Sequence, residues 1–148
     1  MYLVDTNVLS AGAPTKTVPD PALAAWMEQH SGALFLSVIT VAEVQGGIAK
    51  AVRNGAFRKA ERLGGWLDTV LHLYAARVLP LDVQVALALG RLSDIARANG
   101  QNPGLADLAI AATAQHHRCI VLTRNLRHFL ALGVAAHDPF ASLPAAPE

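Results

Sequence analysis

Short apolar runs alternate with longer amphipathic segments along this 148-residue chain, and no other feature constrains its fold as strongly. The runs are Tyr2-Leu3-Val4, Ala33-Leu34-Phe35-Leu36-Ser37-Val38, Val78-Leu79-Pro80, Cys119-Ile120-Val121-Leu122 and Val134-Ala135-Ala136. Runs of this length between turn-forming residues read as strands. The segments between them predict helices. One covers 21–30, with Pro21 in its first turn after an Asp20 cap and Gly32 ending it. A second runs from 40 to about 54, with Val41, Val44, Ile48 and Val52 on one face. A third covers 56–74, with Phe57, Ala60, Leu67, Leu71 and Tyr74 turned inward and a bend at Gly64-Gly65. Asp82 caps a fourth, whose stripe is Val85, Leu89, Leu92 and Ala96. The stretch 105–114 is apolar almost all round and is expected to be buried, and 125–132 forms a short last helix. Strand–helix alternation predicts an α/β fold with a central parallel sheet of four to five strands and helices on both faces. A single domain over 1–138 accommodates it, followed by a loosely held Pro- and Ala-rich tail, 139–148.

Composition narrows the setting. The chain is 53% hydrophobic but only 5% aromatic, so its core is aliphatic. No apolar stretch approaches the about 20 residues of a membrane span. No charged segment followed by an apolar signal core opens the chain. The single cysteine, Cys119, rules out an intramolecular disulfide and reads as a small core residue, so a reducing cytoplasm is the expected compartment. The segment before Pro21, with Pro14 and Pro19, reads as a loop. The net charge of +1 says little about partners. Its distribution says more: Lys50, Arg53, Arg58, Lys59 and Arg62 form one basic group, and Arg118, Arg124 and Arg127 another. Each group reads either as a solvated helix face or as a set of phosphate contacts.

Most acids have ordinary explanations as caps (Asp20, Asp82) or members of polar helix faces (Glu28, Glu61, Asp68, Asp94). Three stand apart. Asp5 ends the first strand, where it either satisfies backbone amides at the strand-to-helix turn or serves as a functional acid. Glu43 follows the second strand, and Thr40-x-x-Glu43 also fits a capping box in which Glu43 reaches back to the Thr40 amide. Asp107 lies among Leu105, Ala106, Leu108, Ala109 and Ile110, where a lone carboxylate costs several kcal/mol unless paired or bound to metal. Its helix feeds directly into the fourth strand. About thirteen residues at about 1.5 Å each carry it back to the sheet's carboxyl edge, where Asp5 and Glu43 already stand. Three carboxylates in one cleft raise each other's pKa, and a hard divalent cation removes the conflict. Oxygen-only ligands suit Mg²⁺ or Mn²⁺, and a carboxylate-held cation at an open cleft fits phosphodiester hydrolysis. His116 and His117, about 15 Å away along the same helix, read as partners of its C-terminal dipole. Aromatic platforms for bases are scarce, with Trp26 and Phe129 the only candidates.

Four segments carry a resemblance when taken together: Leu3-Val4-Asp5-Thr6-Asn7-Val8-Leu9, Ser37-Val38-Ile39-Thr40-Val41-Ala42-Glu43, Ala106–Ala114 around Asp107, and Leu122-Thr123-Arg124-Asn125. In order and spacing they resemble PIN-domain ribonucleases, in particular the VapC/FitB-like toxins of toxin–antitoxin pairs. The resemblance implies Mg²⁺- or Mn²⁺-dependent endonuclease activity on RNA and a homodimer. It also implies inhibition by a small antitoxin whose N-terminal part binds DNA. Asp5, Glu43 and Asp107 carry over as the metal-binding acids, with Thr6, Asn7, Thr40, Thr123 and Asn125 supporting them. Lys50, Arg53, Arg124 and Arg127 are candidates for RNA or antitoxin contact. The chain departs from the pattern in one respect. Many members carry a fourth acid after the fourth strand, whereas residues 123–129 contain none, which leaves that corner to His128 or Asn125. A haloacid-dehalogenase phosphatase would need an aspartate where Asn7 stands, and a receiver domain a lysine where Arg124 stands. A non-catalytic PIN-like module that binds RNA or protein is the remaining alternative.

Overall fold

The computed structural model describes residues 1–16 and 20–148, so the part of the expected proline loop at 17–19 lies outside the described residues. Its centre is a five-stranded sheet ordered β3-β2-β1-β4-β5, with every pairing parallel. The strands are β1 (Tyr2–Val4), β2 (Leu34–Ser37), β3 (Val78–Leu79), β4 (Ile120–Leu122) and β5 (Ala136–His137). Among the described residues seven α-helices connect and cover them. These are α1 (Thr6–Ser10), α2 (Pro21–Gln29), α3 (Val38–Arg53), α4 (Phe57–Tyr74), α5 (Val83–Ala98), α6 (Leu105–His117) and α7 (Leu126–Leu130).

Side chains alternate across the pleat and so build two separate cores. Leu3 and Val121 face α5, α6 and α7, where they meet Val85, Leu92, Ile110 and Phe129. Tyr2, Val4, Leu34, Leu36 and Leu122 face the other way, onto Val8, Trp26, Val44, Ile48 and Leu67 of α1 to α4. The expected three-layer α/β architecture is therefore what forms. The aliphatic strands supply the middle layer, and no helix among the described residues is long and apolar enough to cross a membrane.

Local details differ from expectation where tertiary packing decides. The second long helix begins at Val38, not at Thr40, because Ser37 Oγ caps it by accepting from the Ile39 amide at 3.0 Å. Phe57 is 66% exposed and Val52 48% exposed, so neither belongs to the inward stripe assigned to it. Gly64-Gly65 are carried within one continuous helix. Leu105, at the start of α6, is exposed, whereas the helix is buried from Leu108 to Ala114. Trp26 and Phe129 are both core residues, so no base can stack on either. The C-terminal tail is pinned, not loose. Pro144 is buried, the Tyr2 hydroxyl donates to the Ala145 carbonyl at 2.8 Å, and the Arg124 guanidinium lies 3.8 Å from the Phe140 ring centroid.

Phe129 has no exposed surface, and it closes the α5–α7 core from a helix of only five residues. Phe129→Ala is expected to lower stability by about 3–5 kcal/mol, read from the urea midpoint at unchanged slope.

Candidate active site at the carboxyl edge of the sheet

The chain builds outward from β1 to β2 and β3, then crosses back to lay β4 on the other side of β1. Sheets of this kind open a crevice beyond the strand ends at the point of reversal. Asp5 and Thr123 leave β1 and β4 side by side there, held in register by the Asp5 amide donating to the Leu122 carbonyl at 2.9 Å. Asp5 is only 3% exposed. Its Oδ1 accepts from the Thr6 amide at 2.8 Å, which caps α1. Its Oδ2 accepts from Thr123 Oγ1 at 2.8 Å and from Asn7 Nδ2 at 3.3 Å. The Asn125 amide donates to Thr123 Oγ1 at 2.9 Å, occupying one of its acceptor sites and leaving the hydroxyl proton to Asp5. Asn7 Oδ1 takes the Arg124 amide at 3.2 Å. Asp5 therefore caps α1, as one sequence reading has it, from a position within the crevice.

Burial pushes the Asp5 carboxyl above its ordinary value. Hydrogen bonds from Thr123 and the Thr6 amide pull it back, and the negative charges of Asp107 and Glu43 push it up again. Those last two effects mean that both acids lie within electrostatic reach of Asp5.

Glu43 arrives by a different route from the capping box. With Ser37 as the cap, Glu43 lies in the second turn of α3, and the capping role is withdrawn. Instead its Oε1 accepts from Thr6 Oγ1 at 2.7 Å, while Thr6 Oγ1 shares a further hydrogen bond of 3.1 Å with the buried Thr40 hydroxyl. The signal for Ser37 was in the sequence, since a serine directly after an apolar strand is itself a preferred cap.

Asp107 lies in the first turn of α6, which ends at Arg118 in the left-handed conformation (φ 57°) and turns straight into β4. The expectation of a lone carboxylate sealed among apolar neighbours is corrected. Its side chain is 26% exposed, and Oδ2 lies 3.0 Å from His128 Nδ1. Of the two residues considered for the corner that lacks an acid, His128 is the one in contact with Asp107, while the Asn125 backbone amide donates to Thr123.

The PIN domain model matches residues 2–133. Toxin FitB of Neisseria gonorrhoeae is 36% identical over 143 residues, spanning 95% of this chain and 99% of that protein. VapC ribonuclease Y4jK of Sinorhizobium fredii is 39% identical, spanning 95% and 98%. Among solved structures, FitAcB from Neisseria gonorrhoeae superposes with a TM-score of 0.82 at 35% identity, over 95% of this chain and 99% of that one. The chain belongs to the PIN-domain family.

The remaining candidates of this PIN domain divide by position. Lys50 lines a cleft of about 340 Å³ that reaches Thr6 and Glu43, with Lys16 and Lys59 along the same walls. Lys16 had no mark in the sequence, because only the fold brings it beside α3. Arg53 is exposed in the last turn of α3 and outside that lining. Arg124 is engaged on Phe140, and Arg127 lines a separate recess beside Asp107. His116 and His117 lie in the last turn of α6, at the far end of the helix from Asp107. Cys119 is buried.

Asp5, Glu43 and Asp107 offer oxygen donors only, which suits a hard divalent cation by chemistry. Among the described residues no three acid, imidazole or thiol groups are close enough to close around an ion. Glu43 Oε1 is turned to Thr6 and Asp107 Oδ2 to His128.

A carboxylate with a raised folded pKa binds more protons folded than unfolded, so stability falls as pH rises from the ordinary 3.8 through the folded value. Above that window the ionised Asp5 is a constant cost. In the presence of EDTA, Asp5→Asn is expected to melt above the wild type at pH 7, by about 2–4 °C for each kcal/mol regained. The gain should vanish as the pH approaches 3.8. A variant that melts below the wild type at every pH would contradict the assigned electrostatics.

Proposed function

We propose that this chain is a metal-dependent endoribonuclease that hydrolyses RNA phosphodiester bonds, serving as the toxin of a toxin–antitoxin pair. The observation that carries the reading is the buried Asp5 carboxylate at the sheet's reversal point, pushed toward protonation by burial and by two further acids. Such a site gains from a bound cation and loses without one. Asp5, Glu43 and Asp107 would hold Mg²⁺ or Mn²⁺. Held there, a divalent cation would supply activation of water and neutralisation of phosphate charge. The chain's own groups fix the acids. Thr123 and Asn7 hold Asp5 Oδ2, Thr6, itself bonded to Thr40, holds Glu43 Oε1, and His128 holds Asp107 Oδ2. With an imidazole at the fourth corner, the protein alone holds one cation tightly, and a second joins with RNA.

The regulatory half of the reading rests on relatives. A ribonuclease and a toxin are among them, and a FitAB complex bound to DNA is 34% identical with a TM-score of 0.75. The partner would be a small antitoxin with a DNA-binding N-terminal part, acting on a homodimer of this chain in the cytoplasm. An antitoxin arginine or lysine placed among the acids would complement their charge.

Purified protein incubated with structured RNA tests the enzyme. Cleavage is expected with Mg²⁺ or Mn²⁺ and not with EDTA. Asp5→Asn and Asp107→Asn should each reduce it by more than about 100-fold, with unchanged circular dichroism. RNA retained uncut under all conditions would favour the non-catalytic module instead, a reading that the missing fourth acid alone supports. Calorimetric titration with Mn²⁺ is expected to give one tight site, and two tight protein-only sites would contradict the role given to His128.

A further inference from the structure

We infer that the recess on the outer side of Asp107 is a nucleotide subsite, which takes the RNA residue next to the scissile phosphate and reads its base. The inference rests on the ribonuclease reading of the same site and adds to it where specificity lies. The recess holds about 450 Å³, within the range of about 300–1,000 Å³ usual for small-ligand sites. Asp107 and His128 line it, so the recess shares one of the three acids with the proposed cleavage site.

The opposite rim is the loop after α5, and its backbone is fixed. Gly100 takes φ +70°, its amide donates to the Arg97 carbonyl at 3.1 Å, and the Gln101 amide donates to Ala96 at 2.8 Å. Gln101 and Asn102, both carboxamide residues, are among the residues lining the recess from this rim. Gln101 Oε1 has no hydrogen-bond partner although it is shielded from solvent, so its present rotamer leaves an acceptor unmatched. A carboxamide pairs a donor with an acceptor, the arrangement that reads a base edge. Sequence reading of RNA acts on unstacked single-stranded bases through such edges. Arg127 lines the same space, and among the described residues the one salt bridge is that between His128 and Asp107, so Arg127 has no carboxylate partner. Its planar guanidinium suits a phosphate oxygen pair. The lysine cleft on the Glu43 side carries three cations, Lys16, Lys50 and Lys59, and suits the strand's backbone. An RNA strand crossing the acids would then be gripped on one side and read on the other.

A pool of randomised single-stranded RNA cleaved in Mn²⁺, with the cut ends sequenced, tests this directly. The wild type is expected to prefer one base at a position flanking the cut. Gln101→Ala combined with Asn102→Ala should flatten that preference by about five-fold or more. Gln101→Glu, of the same shape, should change which base is preferred. Arg127→Ala should weaken binding of an uncut oligonucleotide to the Asp5→Asn protein about equally for all sequences, leaving the cleavage preference intact. Melting curves establish that each variant is folded. Cleavage by the wild type with a preference unchanged in both Gln101 variants would overturn the subsite while leaving the ribonuclease standing. Unchanged preference together with lost inhibition by the cognate antitoxin would overturn it too, giving the recess to the protein partner. A wild type that cuts no RNA would remove the enzyme reading and the subsite with it.

Discussion

Everything at the cleft depends on keeping one carboxylate ionised where water hardly reaches. Burying an unpaired charge costs several kcal/mol, and Asp5 offsets that with donors from three places: its own helix start, the Asn7 side chain and the end of β4. The last donor exists only because β4 returns to the far side of β1 and stops one residue short of Thr123. Strand order and acid chemistry are therefore one constraint. A sheet ordered by simple progression would leave Asp5 beside a different strand end, without the hydroxyl that binds its second oxygen.

The donors do not fully satisfy the site, and the residue of tension is informative. Two further acids raise the proton affinity of Asp5, so the metal-free cluster stands at some cost to stability. Each outlying acid is meanwhile held by a neutral or weakly basic group that can let go: Thr6 for Glu43, and His128 for Asp107. Both contacts are single hydrogen bonds at partly exposed positions, worth little net in water. Deep fixation at Asp5 combined with light fixation at the other two suits a site whose ligands close after its occupant arrives.

Much of this was legible in the sequence, because it follows from local pattern and chain direction. The alternation of short apolar runs with amphipathic segments gave the layers, and Asp5, Glu43 and Asp107 could be placed at one edge without coordinates. What escaped needed tertiary knowledge. Thr40-x-x-Glu43 satisfies the capping pattern, yet Ser37 lies closer to the strand end and takes the cap, which frees Thr40 and Glu43 to meet Thr6. Phe57 and Phe129 are alike in composition, but one faces solvent and the other closes a core. Nothing local distinguishes them. Lys16 joins the cleft only through long-range packing, and the tail looked loose because its anchors, Tyr2 and Arg124, are far away in sequence.

The two helical layers contribute unequally, and this bears on how the acids can move. The α1–α4 side supplies Thr6, Glu43 and the lysines, while the α5–α7 side supplies Asp107, His128, Arg127 and the carboxamide rim. Asp5 stands on the sheet between them. Each layer is bolted to the strands by its own aliphatic core, with Val4 and Leu122 buried on one face and Leu3 and Val121 on the other. Close-packed cores of this kind resist sliding, since even a methylene of misfit is felt. Closing the three acids around an occupant is therefore a matter of side-chain rotation at Glu43 and Asp107, not of one layer moving over the other. The backbone positions of β1, α3 and α6, from which the three acids project, are fixed by the same packing.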